Sequence, residues 1–327
     1  MCPAGRTAFI DGVRCVLSLS LERASLVHRL VLLCALWVPG LAVAQPSDPL
    51  PGFDLQRLQL EPSGLGSLVV GTGRTLDPGI VRVSVQGHYE HLPLNFTRAW
   101  DPGLNVVGLV ENKFSGHVTA AVGVLPWLQL GAQLPYIFGQ RGEPFLRTPP
   151  PNGRGLDEPW VSVRLAPLQV KHGAPLNAAV ELAAALPVGQ PEILGRDAYA
   201  VNPKLQLGLQ SEGAQLGLEL GALLRPRHDL SPLTRREQDV VGSEVRVGAT
   251  VTSRGMNSTS TRPELSVLLN LPMQGGQPSG EVLVGVRKHT VTGLDLYFLG
   301  GPGVGTAVDM PALRLLVGAS FATGEVD

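Results

Sequence analysis

The chain has 327 residues, with 26 lysines and arginines against 27 aspartates and glutamates, giving a formal net charge of −1. That balance offers no electrostatic basis for holding nucleic acid. Charged residues make up 16% of the chain, below the roughly 25% of soluble domains, and 40 glycines with 28 prolines favour short strands joined by turns over helices.

The N-terminus reads as an export signal. His28-Arg29 supplies positive charge, and Leu30–Val43 (LVLLCALWVPGLAV) is an apolar run too short for a typical spanning helix. Ala42-Val43-Ala44 gives a small-x-small pattern, so cleavage is expected between Ala44 and Gln45. A retained membrane anchor is the competing reading, and Pro39 and Gly40, which break the run, weigh against it. Residues 1–27 are long for a signal's basic region, which a start codon placed too far upstream would explain. Cys2, Cys15 and Cys34 all precede the cleavage point. The mature chain therefore has no thiol for catalysis or for a thiolate metal site. Past the signal no run of about 18 apolar residues occurs, so any crossing of a membrane must use strands.

Four regions are expected: residues 1–44 as signal with extension, 45–79 as linker and lead-in, 80–321 as a β-barrel, and 322–327 as a tail. Gln45–Gly52 is a proline-rich linker. Phe53–Gly79 is rich in leucine and glycine and is compatible with a first strand, a periplasmic lead-in or a segment inside a lumen.

From Ile80 a period of two sets in, the strand period. Val81, Val83, Val85, Gly87 and Tyr89 alternate with Arg82, Ser84, Gln86, His88 and Glu90. Further strands are predicted at Gly116–Leu125, Trp127–Leu134, Trp160–Ala166, Asn177–Leu186, Val201–Gln210, Ala214–Leu224, Ser243–Thr252, Pro263–Leu271, Gly280–Arg287, Gly293–Leu299 and Ala312–Phe321. The pattern is plainest in Lys204–Leu224. There Leu205, Leu207 and Leu209 oppose Lys204, Gln206 and Gly208, and Leu216, Leu218 and Leu220 oppose Gln215, Gly217 and Glu219, around a turn at Ser211–Gly213. The total is about twelve strands of roughly ten residues, an even number and a length suited to crossing a bilayer at a tilt.

The connections alternate too. His91–Ser115, Pro135–Pro159, Pro187–Ala200 and Arg225–Gly242 are long, whereas Pro126, Ser211–Gly213 and Lys288–Thr292 are short. Long outer loops and short periplasmic turns produce this pattern in an antiparallel transmembrane barrel, with both termini on the periplasmic side. Aliphatic faces then meet lipid. The lumen receives Arg82, Glu90, Arg164, Glu181, Lys204, Glu219, Glu244, Arg246, Glu264, Arg287, Asp295 and Arg314, a nearly balanced set with no one-sign ring that would select ions. Tyr89, Trp127, Tyr136, Trp160, Tyr199 and Phe321 fall at strand ends, where interfacial aromatic girdles sit. On this facing, Leu207→Arg should be damaging and Gln206→Arg mild.

Chemical motifs are sparse. In His88-Tyr89-Glu90-His91, His88 and Glu90 share a face but His91 does not, so a polar strand end is favoured over a metal site. His88, His117 and His289 are candidates for a lipid hydrolase built on a barrel's outer wall, but no G-x-S-x-G accompanies them. Gly300–Gly305 lacks the lysine and the helix of a phosphate cradle and reads as a loop. No cofactor, no metal and no enzyme activity are expected.

FDLQRLQLEPSGLGSLVVGTGRTLDPGIVRVSVQGHYEHLPL, AAVGVLPWLQLGAQLPYI, FLGGPGVGTA and LRLLVGASF resemble the N-terminal barrel region of large OmpA-family outer-membrane proteins of myxobacteria. The resemblance spans roughly Phe53–Phe321 and carries no catalytic residues. It implies an outer-membrane barrel. That family often continues into a peptidoglycan-gripping domain, which the resemblance here does not reach, so that function is not carried over. Leu313, Leu315, Val317, Ala319 and Phe321 alternate and end on an aromatic, which resembles the signal read by the barrel-assembly machinery. The expected partners are thus outer-membrane lipid and that machinery. The expected role is a structural barrel or a passive pore for small solutes. A secreted soluble β-sandwich and a barrel lipid hydrolase are the alternatives.

Overall fold

The structure, a computed structural model, describes residues 57–97, 106–144, 149–188, 199–231, 237–253, 261–290 and 293–324. The expected cleavage point, Ala44 and Gln45, lies outside them. Twelve long strands build the wall: β1 (Val81–Thr97), β2 (Val106–Leu125), β3 (Leu128–Arg141), β4 (Trp160–Leu168), β5 (Asn177–Ala185), β6 (Ala200–Gln210), β7 (Ala214–Leu223), β8 (Glu244–Ser253), β9 (Thr261–Pro272), β10 (Ser279–His289), β11 (Leu294–Gly305) and β12 (Leu313–Ala322).

Each strand pairs antiparallel with its neighbour in sequence, and β12 pairs back onto β1 from Arg82↔Ala322 to His91↔Leu313. The sheet is therefore a closed barrel. Closure leaves no strand edge, which is the condition for a β-structure to stand in hydrocarbon. The longer links, such as Arg141 to Trp160 and Leu223 to Glu244, gather at one end, and short turns such as Leu125 to Leu128 at the other. These are the outer and periplasmic ends respectively.

The facing follows the period of two. Leu205, Leu207, Leu209, Leu216, Leu218 and Leu220 are each between 38% and 56% exposed, while Gln206 and Gln215 between them are buried. A soluble sandwich would hide those leucines between two layers; here they form the outside, so that alternative is excluded.

The outer ends of β1 and β2 differ from expectation. The stretch His91–Ser115 reads as a loop in sequence, yet β1 runs to Thr97 and β2 begins at Val106. The alternation is broken by an irregularity between His91 and Leu94, where Leu92 takes a φ of 54°, and the register resumes beyond it. A second shift, between Leu94 and Asn95, restores the register, so Leu94 and Phe96 keep the inward parity of His88 and Glu90. That inward face is apolar here, so the oily-out, polar-in alternation is lost to the eye. At about 3.4 Å per residue, the 20 residues of β2 exceed the roughly 35 Å that a tilted strand needs. The β1–β2 hairpin thus stands clear of the bilayer. Its inward residues Leu94, Phe96, Leu109 and Val110 pack with Leu230, Val241 and Val308 from two other outer links. The result is a small water-side core over the mouth. β3 likewise continues to Arg141, inside what reads as the loop Pro135–Pro159.

Leu207→Arg, on the lipid face of β6, is expected to cost about 2–4 kcal/mol if it lies near the bilayer midplane. Leu94→Asp should instead loosen the outer core and leave the transmembrane wall formed. Urea titration of refolding into lipid checks the first, and proteolysis of the outer links in a barrel of unchanged heat-modifiable mobility checks the second.

Candidate functional site

Residues 57–79 occupy the lumen. Their first described residue is at the outer end, where Arg57 pairs with Glu244 at 2.9 Å and Asp309 at 2.9 Å and donates to Ser279 Oγ at 2.6 Å. The chain then descends. By Gly64 its carbonyl accepts from Arg287 Nη1 at 2.6 Å, near the periplasmic end of β10. It winds through the lower half and leaves at Asp77, held by Lys171 at 2.7 Å, and Gly79, whose N–H donates to the Gly123 carbonyl at 2.8 Å. Of the three placements open for this segment from sequence, the luminal one is observed.

The local sequence explains the coiled path. Pro62 and glycines at Gly64, Gly66 and Gly73 permit turns that an extended strand would not; Gly73 has a φ of 70°. Glu61 N–H reaches the Leu68 carbonyl at 2.8 Å, closing a loop within the segment. Leu58, Leu60, Leu68, Val69 and Val70 then pack on a greasy inward patch of the wall: Leu283, Tyr297, Leu299 and Leu316. Inward leucines are the exception in this barrel, and they occur where the internal segment covers them. At Gly208 of β6 a Cβ would stand 2.1 Å from the Thr72 carbonyl oxygen, so glycine there is what lets the segment's backbone lie against the wall.

The charged wall residues form ion pairs in the lumen. Arg82 meets Asp295 at 2.7 Å, Arg314 meets Glu90 at 2.7 Å and Glu281 at 2.8 Å, and Lys204 meets Glu181 at 3.2 Å and Glu219 at 4.0 Å. Arg246 pairs with Glu244 at 2.7 Å and Arg287 with Glu264 at 3.8 Å. Arg164 is gripped by Glu181 from the adjacent strand and by Glu61 of the internal segment. Sequence reasoning passed over the groups that complete these clusters: Arg57, Glu61, Lys113, Asp157, Arg225 and Asp309. Burial alone would lower the Arg57 guanidinium, but Asp309 and Glu244 hold it above its ordinary value. At Arg225, beside them, burial wins and the value falls.

Two expectations are corrected. Trp160 is buried at 7% exposure among Ala183, Ala185, Ala200 and Leu223, and is no girdle residue. It shares the parity of Arg164 on β4, and that parity points inward. Gln206 is fully buried, with Nε2 donating to Glu219 at 3.0 Å and the internal segment's Gly71 against it. An arginine there would meet that segment, so the substitution is not mild. The other aromatics sit outward. Trp127, Tyr136, Tyr199 and Phe321 are between 39% and 71% exposed, and half-buried Tyr89 lies 4.8 Å from the Phe114 ring. His88 and His117 face the lumen with ring nitrogens 3.3 Å apart, and His88 lies beside Arg314. They are not on the outer wall, where a lipid hydrolase would need them.

Narrow cavities remain between segment and wall, two of them among the described residues. One, of about 30 Å³, is lined by Gln59, Asn202, Arg246 and Asn270; the other, of about 20 Å³, by Gln133, Ser162, Glu181 and Lys204. Each is on the scale of a water molecule. The arrangement is a charged wall filled by a separate run of chain.

No known protein family and no curated protein matches the sequence. Solved structures do match. The outer membrane channel titled COG4313 from Pseudomonas putida F1 superposes with a TM-score of 0.56 over 76% of this chain and 97% of its own, at 15% identity. The NanC porin gives a TM-score of 0.47 over 73% of this chain and 98% of its own, at 10% identity. The fold is that of an outer-membrane β-barrel channel. With an apolar exterior around its whole circumference, its place is the outer membrane.

Arg164→Met leaves Glu61 and Glu181 facing each other without their shared cation, and is expected to destabilise the protein by about 3 kcal/mol. The double change Arg164→Met with Glu61→Gln should recover part of that loss. Equilibrium unfolding in detergent measures both.

Proposed function

We propose that this protein is a non-enzymatic outer-membrane channel for small solutes whose lumen is held shut by residues 57–79. One observation carries the reading: the filling is a separate run of chain, not the wall's own side chains. A barrel meant only as a structural element can be filled by inward side chains alone. Here many of the segment's anchors are polar: Arg57 on Glu244, Glu61 on Arg164, the Ser67 hydroxyl on Glu264 at 2.6 Å, and the Gly71 N–H on Glu219 at 2.9 Å. Each of these is a side-chain contact outside the wall's strand ladder, so the segment can shift while the wall stays intact. The Pseudomonas putida barrel of the same fold bears the name of a channel, which agrees with the reading.

The near balance of acid and base in the lumen implies weak charge selection. The finer resemblance to barrel regions of myxobacterial OmpA-family proteins belongs to the same proposal. So do surrounding outer-membrane lipid and an assembly machinery that reads β12 up to Phe321 as the partners of the chain.

Planar-bilayer recording tests the idea. The intact protein should give rare or small steps. Deleting residues 57–79, or Gly208→Val, which drives a side chain into the Thr72 carbonyl, should give frequent, larger steps. A silent bilayer from a deletion variant with normal heat-modifiable mobility would leave a purely structural barrel.

A further inference from the structure

Outside the lumen an open groove of about 690 Å³ lies at the outer end of β2 and β3. Its lining includes Asn112, Phe114, Phe138, Arg141, Asn152 and Arg154. We propose that this groove binds a phosphorylated glycolipid of the outer leaflet, with the arginines on phosphate and the phenylalanines on the acyl-chain side.

Phe114 and Phe138 are 53% and 63% exposed and belong to the wall that meets lipid. Phe138 lies against Tyr136 with ring centroids 5.3 Å apart, and Phe114 against Tyr89 at 4.8 Å. Four aromatic rings thus cluster on three adjacent strands, as interfacial rings do where hydrocarbon gives way to headgroups. Arg141 is three residues beyond Phe138 on the same strand. At about 3.4 Å per residue, that sets its backbone roughly 10 Å farther out, at headgroup depth. The polar end of the groove carries two arginines and two asparagines, and its lining contains no carboxylate. Guanidinium forks and amide donors are the groups that recognise phosphate and sugar oxygens.

The groove is also a built feature. After β3 the link folds back, and Gly155–Leu156 pairs with Tyr136–Ile137, which fixes Arg154 beside the wall. The Asp157 N–H donates to the Pro135 carbonyl at 3.1 Å. On the other side the Glu143 N–H donates to the Gly108 carbonyl at 2.8 Å, tying the end of β3 to the β1–β2 hairpin. Arg141 is therefore carried on paired backbone and Arg154 directly precedes a paired residue, so less entropy is lost when they close on an anion. A free anion would use the arginines alone and leave the aromatic floor unexplained. A phosphorylated lipid uses both.

The proposal stands whether or not the lumen conducts. Purified full-length protein in detergent is titrated with bisphosphorylated lipid A, dephosphorylated lipid A and inorganic phosphate, with binding read by native mass spectrometry. Bisphosphorylated lipid A should remain bound through the gas phase. Its affinity should fall about tenfold or more in the double variant Arg141→Gln, Arg154→Gln, and by a smaller factor in Phe138→Ala. All of these side chains are on the surface, so heat-modifiable mobility should be unchanged. Undiminished binding in the double variant overturns the proposal, as does equal binding of the dephosphorylated lipid. Competition by inorganic phosphate at concentrations matching the lipid would make this an anion site and would likewise overturn it.

Discussion

The structure depends on the pairing of β1 with β12. A strand in hydrocarbon has no water to satisfy its N–H and C=O groups, and an open edge across the bilayer would leave a row of them bare. Ten consecutive register partners, from Arg82↔Ala322 to His91↔Leu313, remove that edge. Once the ring is closed, each strand has one lipid face and one luminal face, and side-chain parity becomes an obligation. A single charge on the wrong parity would lie in hydrocarbon, and a leucine on the inner one needs a partner inside.

The interior answers that obligation in two ways. Across neighbouring strands, charges of opposite sign fall side by side, as Arg164 and Glu181 do in direct register. Where the wall is apolar inside, around Leu283, Tyr297, Leu299 and Leu316, residues 57–79 supply leucine and valine to cover it. The same segment inserts Arg57 and Glu61 into the wall's ion clusters. It is therefore held by one greasy contact and several polar ones. The greasy contact is non-directional, while the polar ones fix which groups of the segment meet which groups of the wall.

The outer end is organised separately. The β1–β2 hairpin outruns the membrane, and the outer parts of its two strands have their own hydrophobic core with the links bearing Leu230, Val241 and Val308. Below it, the β2–β3 wall carries the aromatic rings, and the folded-back link brings Arg154 beside them. Mouth, lumen and lipid-facing groove are thus three environments on one sheet, distinguished by what each face of a strand meets at each height.

Much of this was legible in the sequence. Twelve alternating runs, their even number and the alternation of long and short links specified an antiparallel barrel, because a period of two with one oily face has few other homes in a chain of this length. The inward placement of the charged residues followed from the same parity. Trp160 could have been placed by that rule too, since it shares a face with Arg164; its position at a strand end suggested the girdle instead. What the sequence could not decide is everything that depends on contacts between distant segments. Phe53–Gly79 has no periodicity, and the place of residues 57–79 in the lumen is set by wall groups far along the chain, among them Gly208, Glu244, Glu264 and Asp309. The outer extension of β1 and β2 was hidden because its inward positions, Leu94 and Phe96, are apolar where the luminal positions below them are polar, and because paired register shifts around Leu94 interrupt the ladder. Local alternation determines which way a residue points; only the closed ring determines what it meets there.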